Sequence, residues 1–286
     1  MLDRRIGPAT RRFAVLGESL LHTWSPYIHN SLFDAAGVDA VYLPITVPGE
    51  KLASAVDVFR SCFDGFNVTI PYKERIMPLL DEIDEAARTC GAVNTVKVCN
   101  GRLTGYITDG LGMMRALEEH GVATRGVHAM ILGGGGAARV AGYEFLARGG
   151  RVTFAVRDVS KGRRLRGELA QLQSDGAARI GVCALPDADE RCDILVNCTP
   201  VGMYPHADAC PIAPDAIARC GAVFDAVYNP RQTRLLAYAR EKGVTAVEGL
   251  GMLFYQAAEA QRIWLGGQMA SCAVQSEVYA QLLSSM

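Results

Sequence analysis

The chain has 286 residues, 50% of them apolar and 21% charged, with 29 basic and 30 acidic side chains and a formal net charge of -1. That length predicts about two domains with a full core, and the balanced charge leaves no basic field to hold nucleic acid. No apolar run reaches the roughly 18–20 residues of a membrane span, and Met1 to Arg12 is polar and basic without the apolar stretch of a secretory signal. Nine cysteines, an odd number with no C-x-x-C pair, read as free thiols of a cytoplasmic protein, and their spacing suits no zinc site, so no metal is expected.

Phe13 to Gly17 predicts a first strand. Ser25-Pro26 opens a helix, with Ser25 as its cap and Pro26 at its first position. Val41 to Ile45 reads as a second strand, and Glu50 to Arg60 as a helix with Leu52, Val56 and Phe59 on one side. A short strand, Gly65 to Thr69, runs into Pro71-Tyr72-Lys73, and a helix is expected from Tyr72 to about Ile83. Asn100-Gly101 separates two strand-like runs, Ala92 to Val98 and Arg102 to Tyr106, as a hairpin turn does.

From about residue 110 the pattern alternates between helix and strand. Leu111 to His120 reads as a linking helix, and the continuous apolar run Val127 to Leu132 suits a buried parallel strand. After a glycine cluster come a helix (Ala137 to Arg148), a strand (Arg151 to Val156), a helix (Val159 to Gln173) and strands at Ile180 to Ala184, Ile194 to Cys198 and Val223 to Ala226. A helix from Thr233 to Gly243 and another from Met252 to Ile263 complete the chain. The fold class is therefore α/β: an N-terminal α/β domain and a Rossmann-like, doubly wound nucleotide-binding domain with a parallel sheet.

The cluster Gly133-Gly134-Gly135-Gly136-Ala137-Ala138 satisfies G-x-G-x-x-A between a strand and a helix, the context that gives this motif meaning. Such a loop lets the backbone approach a pyrophosphate at a helix N-terminus. About where a ribose reader is expected stand Arg157 and Asp158. Asp158 could accept from the ribose hydroxyls of NAD. Arg157, backed by Lys161 and Arg163, could hold the 2′-phosphate of NADP. NAD is slightly favoured on these residues. Ahead of the glycines, Asn67 to Lys73 crowds an amide, a hydroxyl and an amine around a proline. A polar pocket followed by a dinucleotide loop points to a nicotinamide-dependent oxidoreductase. Lys73 and Asp109 are its acid/base candidates, since carbonyl reduction needs a proton donor and a buried lysine supplies one readily.

Six segments in order resemble shikimate dehydrogenases: His22 to Asn30 (H-S-x-S-P-x-x-H-N), Asn67 to Lys73 (N-V-T-x-P-x-K), Gly91 to Thr95 (G-A-V-N-T), Thr108 to Gly110, Phe224 to Pro230 (D-x-x-Y-N-P) and Glu248 to Leu253 with Gln256 (D-G-L-G-M-L-x-x-Q). The resemblance implies a substrate domain of residues 1–108 with 248–286 and an NAD(P)-binding domain of 109–247. It implies that Thr23 and Ser25 hold a substrate carboxylate, with Tyr228 near it, and that Thr69, Asn94 and Gln256 bind ring hydroxyls. Lys73 and Asp109 would be catalytic, and Gly133, Gly134, Gly135, Gly136, Ala137, Arg157, Ala226 and Gly249 would line the cofactor. The expected reaction interconverts shikimate and its 3-keto form, in a monomer or homodimer.

The chain departs from the family pattern at four places: Thr23 for serine, Ile107 for asparagine, Val156 and Asp158 within the N-R-T signature, and Pro200-Val201. These suggest a divergent paralogue and keep quinate, or an amino analogue, as an alternative substrate. A non-catalytic dinucleotide sensor is the alternative of another class. Trp24 is read as pocket wall, His29 as packing or capping its helix, and His206 as a solvated loop residue.

Overall fold

The computed structural model describes residues 6–21, 23–171 and 176–285. His22 of the first motif, the expected helix end at Gln173 and the start of the basic N-terminal stretch lie outside them. The chain divides into two compact units. One holds the residues up to Thr108 together with those from Gln256 onward, and the other is Asp109–Tyr255.

The first unit is built on six strands: β1 (Arg11–Gly17), β2 (Ala40–Thr46), β3 (Gly65–Val68), β4 (Glu82–Ile83), β5 (Thr95–Cys99) and β6 (Arg102–Tyr106). Their order is β2-β1-β3-β5-β6-β4. β1 runs parallel to β2 and β3, whereas β5 is antiparallel to β3 and β6. The hairpin turn is where Asn100-Gly101 placed it, with φ of 51° and 74°, the left-handed pair a two-residue turn requires. Around the sheet lie α1 (Ser25–Ala35), α2 (Leu52–Cys62) and α3 (Glu85–Cys90). α2 buries Leu52, Val56 and Phe59, as the spacing predicts. The core beneath α1 is aromatic: Phe13 stacks on Trp264 at 4.7 Å, and the His29 ring lies on Tyr42 at 4.1 Å. Gly65 makes room for that core, because a Cβ there would lie 2.5 Å from the Trp264 indole nitrogen.

Two local expectations need correction. No helix spans residues 72–83; there are only turns, a 3-10 turn at Met77–Leu79 and β4. Pro78 stands in the middle, without an N–H and with a ring that would strike the carbonyl four residues back. The cap of α1 is also displaced: Trp24 occupies the cap position, Ser25 is the first helical residue, and Pro26 follows it. The Thr23 hydroxyl accepts the Ser25 N–H at 3.3 Å.

The second unit carries β7 (His128–Leu132), β8 (Arg151–Val156), β9 (Ile180–Ala184), β10 (Cys192–Asn197), β11 (Cys220–Asp225) and β12 (Thr245–Glu248). All pairings are parallel, in the order β12-β11-β10-β7-β8-β9. Helices α4 (Asp109–Glu119), α5 (Gly136–Ala147), α6 (Val159–Ala170), α7 (Pro214–Ile217) and α8 (Arg234–Glu241) connect or precede them. All five residues of β7 are buried, as its unbroken apolar run requires of a central strand. Strand order reverses between β7 and β10. In a doubly wound sheet that switch point opens a crevice at the carboxyl ends of the strands.

Two further helices, α9 (Gly249–Leu265) and α10 (Cys272–Ser285), end the chain. Among the described residues no helix is long and apolar enough to cross a membrane. All nine cysteines are free.

Candidate active site

The dinucleotide half can be built from the switch point outward. β7 ends in Gly133, whose φ of +115° suits glycine and whose N–H donates to the Ala155 carbonyl at 2.9 Å. A Cβ on Gly133 would meet the Thr199 methyl at 3.2 Å, so the loop after β10 already lies against it. Around Gly135 and Gly136 an added Cβ would meet nothing within 4 Å, which leaves open space above the loop. α5 begins at Gly136, with Ala137 next, and its cap residue Gly135 offers no side chain to the first turn. The N–H groups of that turn have no partners within the helix and carry its positive dipole end. Backbone donors, open space and a switch point together fit the pyrophosphate of a dinucleotide.

β8 delivers Arg157 and Asp158 at its carboxyl end, both exposed. Here the structure revises the balance between the two residues. Asp158 is the cap of α6: its Oδ1 accepts the Ser160 N–H at 3.0 Å and the Ser160 hydroxyl at 2.6 Å. The Ser160 hydroxyl foremost holds this carboxyl below its usual range. A carboxylate turned back onto its own helix is poorly placed to read a ribose, and the slight preference for NAD loses its support. Arg157 remains as the charged group at the strand end.

The ends of β10 and β11 carry a buried network that sequence reasoning missed. Asn197 and Asp225 are paired across the two strands, and both are fully buried. Asp225 Oδ1 accepts from Asn197 Nδ2 at 2.9 Å and from the Val227 N–H at 3.0 Å, and Oδ2 accepts from the Thr233 hydroxyl at 2.6 Å. The Ala226 N–H donates to the Asn197 carbonyl at 3.0 Å. Gly249, at the end of β12, lies so close that a Cβ would fall 2.6 Å from the Asp225 carbonyl oxygen. The structure thus brings the candidates Ala226 and Gly249 together, with Tyr228 two residues on and 37% exposed. The missed signal was a pair of polar residues, Asn197 and Asp225, closing two otherwise apolar strands.

In the first unit, β3 runs into Thr69, whose N–H donates to the Leu16 carbonyl at 3.0 Å. Tyr72 is buried, and its hydroxyl donates to the Val47 carbonyl at 2.6 Å. The Lys73 carbonyl accepts the Val93 N–H at 2.8 Å. Lys73 is therefore held by backbone on the Val93 side and by a buried aromatic on the other, while its side chain stays half-buried.

Asn94 is buried in a neutral cluster. Its Oδ1 accepts the Thr108 N–H at 2.9 Å, and its Nδ2 donates to the Thr108 hydroxyl at 3.0 Å and to Gln256 Oε1 at 3.4 Å. A backbone N–H can only donate, so Thr108 fixes which end of the amide is oxygen. The structure thus brings Asn94 and Gln256 together, and it places Thr23 and Ser25 side by side at the start of α1. Asn67 is spent internally: it accepts from the Tyr42 hydroxyl at 2.6 Å and donates to the Asn94 carbonyl and the Thr95 hydroxyl. His29 is packing, as expected; burial pushes its pKa down to about 3. In the second unit Asp109 opens α4, with its carboxylate at the positive end of the helix. Ile107, where the resembling pattern has asparagine, is buried.

Residues 15–96 match the family description "Shikimate dehydrogenase substrate binding domain". The chain is 40% identical over 264 residues to the NADP(+)-dependent shikimate dehydrogenase of Methanococcus maripaludis, covering 91% of this chain and 94% of that protein. Its fold is similar to the crystal structure of the Thermus thermophilus shikimate 5-dehydrogenase in complex with NADP(H) and shikimate, with a TM-score of 0.85, 32% identity and 95% and 99% of the two chains covered. It is also similar to the quinate dehydrogenase of Corynebacterium glutamicum in complex with NAD, with a TM-score of 0.86, 28% identity and 96% and 99% covered.

Proposed function

Because the chain belongs to the shikimate dehydrogenase family, we propose that it is an NADP-dependent oxidoreductase that interconverts shikimate and 3-dehydroshikimate. The observation that carries this reading is the Asn94 amide, buried, oriented by Thr108 and set against Gln256. A wall of neutral amides and hydroxyls suits a ring bearing several hydroxyl groups, because each group finds a donor or acceptor and no charge is left unpaired.

The first unit binds the hydroxy acid and the second the dinucleotide. In the first unit the hydroxyls of Thr23 and Ser25 receive the substrate carboxylate, and in the second unit Tyr228 is a substrate-binding residue. Thr69, Asn94 and Gln256 bind the ring hydroxyls. Lys73 takes the proton of the hydroxyl being oxidised and returns it in the reverse direction, and Asp109 orients the exchange. The glycine loop with Ala137 cradles the pyrophosphate, Ala226 and Gly249 line the nicotinamide end, and the Arg157 guanidinium holds the 2′-phosphate. When bound, the nicotinamide supplies the two-electron acceptor. The nine free thiols suit a reducing cytoplasm.

Initial rates with shikimate and quinate, each with NADP+ and NAD+, test the reading. Shikimate with NADP+ is expected to be fastest. A preference for quinate would point to the extra methyl of Thr23 reshaping the carboxylate end. Formation of no reduced cofactor in any of the four mixtures would overturn the proposal.

A further inference from the structure

The Asn197–Asp225 pair has no place in the chemistry above, and its geometry gives it one. Asp225 is a fully buried carboxylate whose partners are all neutral donors: the Asn197 amide, the Val227 N–H and the Thr233 hydroxyl. Asn197 is the second hub. Its Nδ2 also donates to the Val201 carbonyl at 3.3 Å, and its Oδ1 accepts the Thr199 N–H at 3.0 Å and the Thr199 hydroxyl at 2.7 Å. Two side chains therefore gather both loops that leave β10 and β11, residues 198–201 and 226–233, beside the switch point.

We propose that Asn197 and Asp225 form a positioning clamp that sets Ala226 and Tyr228, and through them the affinity for both dinucleotide and hydroxy acid. This rests on the functional reading above. Neither side chain needs to touch a ligand. The clamp acts because Asp225 Oδ1 holds the Val227 N–H, one residue before Tyr228, next to the backbone bond from the Ala226 N–H to the Asn197 carbonyl.

The alternative is a purely structural pair, and the energetics argue against it. Burial raises the Asp225 pKa against the opposing hydrogen bonds. A carboxyl whose folded pKa is raised favours the fold when protonated, and that contribution is lost as pH rises through the folded value. The ionised form is thus held at a cost in the folded state, where a neutral residue would be buried at lower cost. What the carboxylate does that a neutral residue cannot is accept from three donors at once. An asparagine would turn an N–H₂ toward one of them.

Three variants test the clamp: Asp225→Asn, Thr233→Val and Thr233→Ser. The readouts are the dissociation constant for NADPH by fluorescence titration, KM for both substrates, kcat per active site and the thermal midpoint. Asp225→Asn is expected to raise the NADPH dissociation constant and both KM values about tenfold, the loss of roughly one charge-assisted hydrogen bond, with kcat nearly kept. Thr233→Val removes the donor to Oδ2 and is expected to move the same constants in the same direction, and Thr233→Ser to restore them. If Asp225→Asn does not fold, Thr233→Val against Thr233→Ser carries the test. A structural pair would instead lower the thermal midpoint and the fraction of active sites, with KM and the dissociation constant unchanged, and that result overturns the clamp. The NADPH titration needs no turnover, so it still reads the clamp if the wild-type chain proves inactive on shikimate.

Discussion

Lys73→Ala is expected to lower kcat by about a hundredfold to ten-thousandfold, the usual range for removing a positioned proton-transfer group. NADP binding should be unchanged, because the glycine loop and Arg157 belong to the other unit. The fold should also be unchanged. The segment is held by the Val93 N–H on the Lys73 carbonyl and by the buried Tyr72, and neither contact uses the lysine amine. The expected signature is therefore a fall in kcat and kcat/KM together, with the cofactor dissociation constant kept. Full turnover in this variant would remove Lys73 from the mechanism. Asp109→Asn keeps the shape of the side chain and loses its charge, so it is expected to reduce kcat by a smaller factor.

Arg157→Ala carries the second large effect. A guanidinium on a phosphate is worth about 1.5–3 kcal/mol, so kcat/KM with NADP+ should fall about tenfold to a hundredfold. With NAD+, which has no 2′-phosphate, the same variant should behave as wild type. Asp158→Ala is the companion measurement. Since Asp158 caps α6 through Ser160, its loss should lower the thermal midpoint and leave the preference for NADP+ intact. A selective loss of NAD+ activity in Asp158→Ala would restore that residue as a ribose reader.

Elements set by local rules were legible in the sequence. The unbroken apolar run of β7 followed by four glycines, the Asn100-Gly101 turn and the Leu52, Val56, Phe59 stripe each carry their own periodicity or turn chemistry, and each stands where it was expected. The helix expected from Tyr72 is absent because Pro78 outweighs the helix-forming residues around it. α3 was missed although its ends are written plainly: Asp84 accepts from the Ala86 and Ala87 N–H groups, and Gly91 closes it in the left-handed region. Its six residues were too short to show a helical period.

Within the candidate site, residue types were easier to read than their partners. Sequence places Asp158 at the strand end, where a ribose reader is expected, and only the fold turns its carboxylate onto Ser160. The signal was local, an aspartate two residues ahead of a serine at a helix start, where side chains compete for backbone N–H groups. Asn197 and Asp225 are 28 residues apart, and nothing in either segment shows that they meet across neighbouring strands. Asn67 was prominent as a motif residue and proves to be an internal brace between Tyr42, Asn94 and Thr95.

The central claim is that this chain oxidises the 3-hydroxyl of shikimate with NADP+. Shikimate carrying deuterium on the carbon of that hydroxyl tests it directly. Incubation with the wild-type chain and NADP+, followed by mass spectrometry of both products, should give 3-dehydroshikimate and singly deuterated NADPH in equal amounts. Unlabelled NADPH, or recovery of labelled shikimate unchanged while NADP+ is bound, would contradict the account.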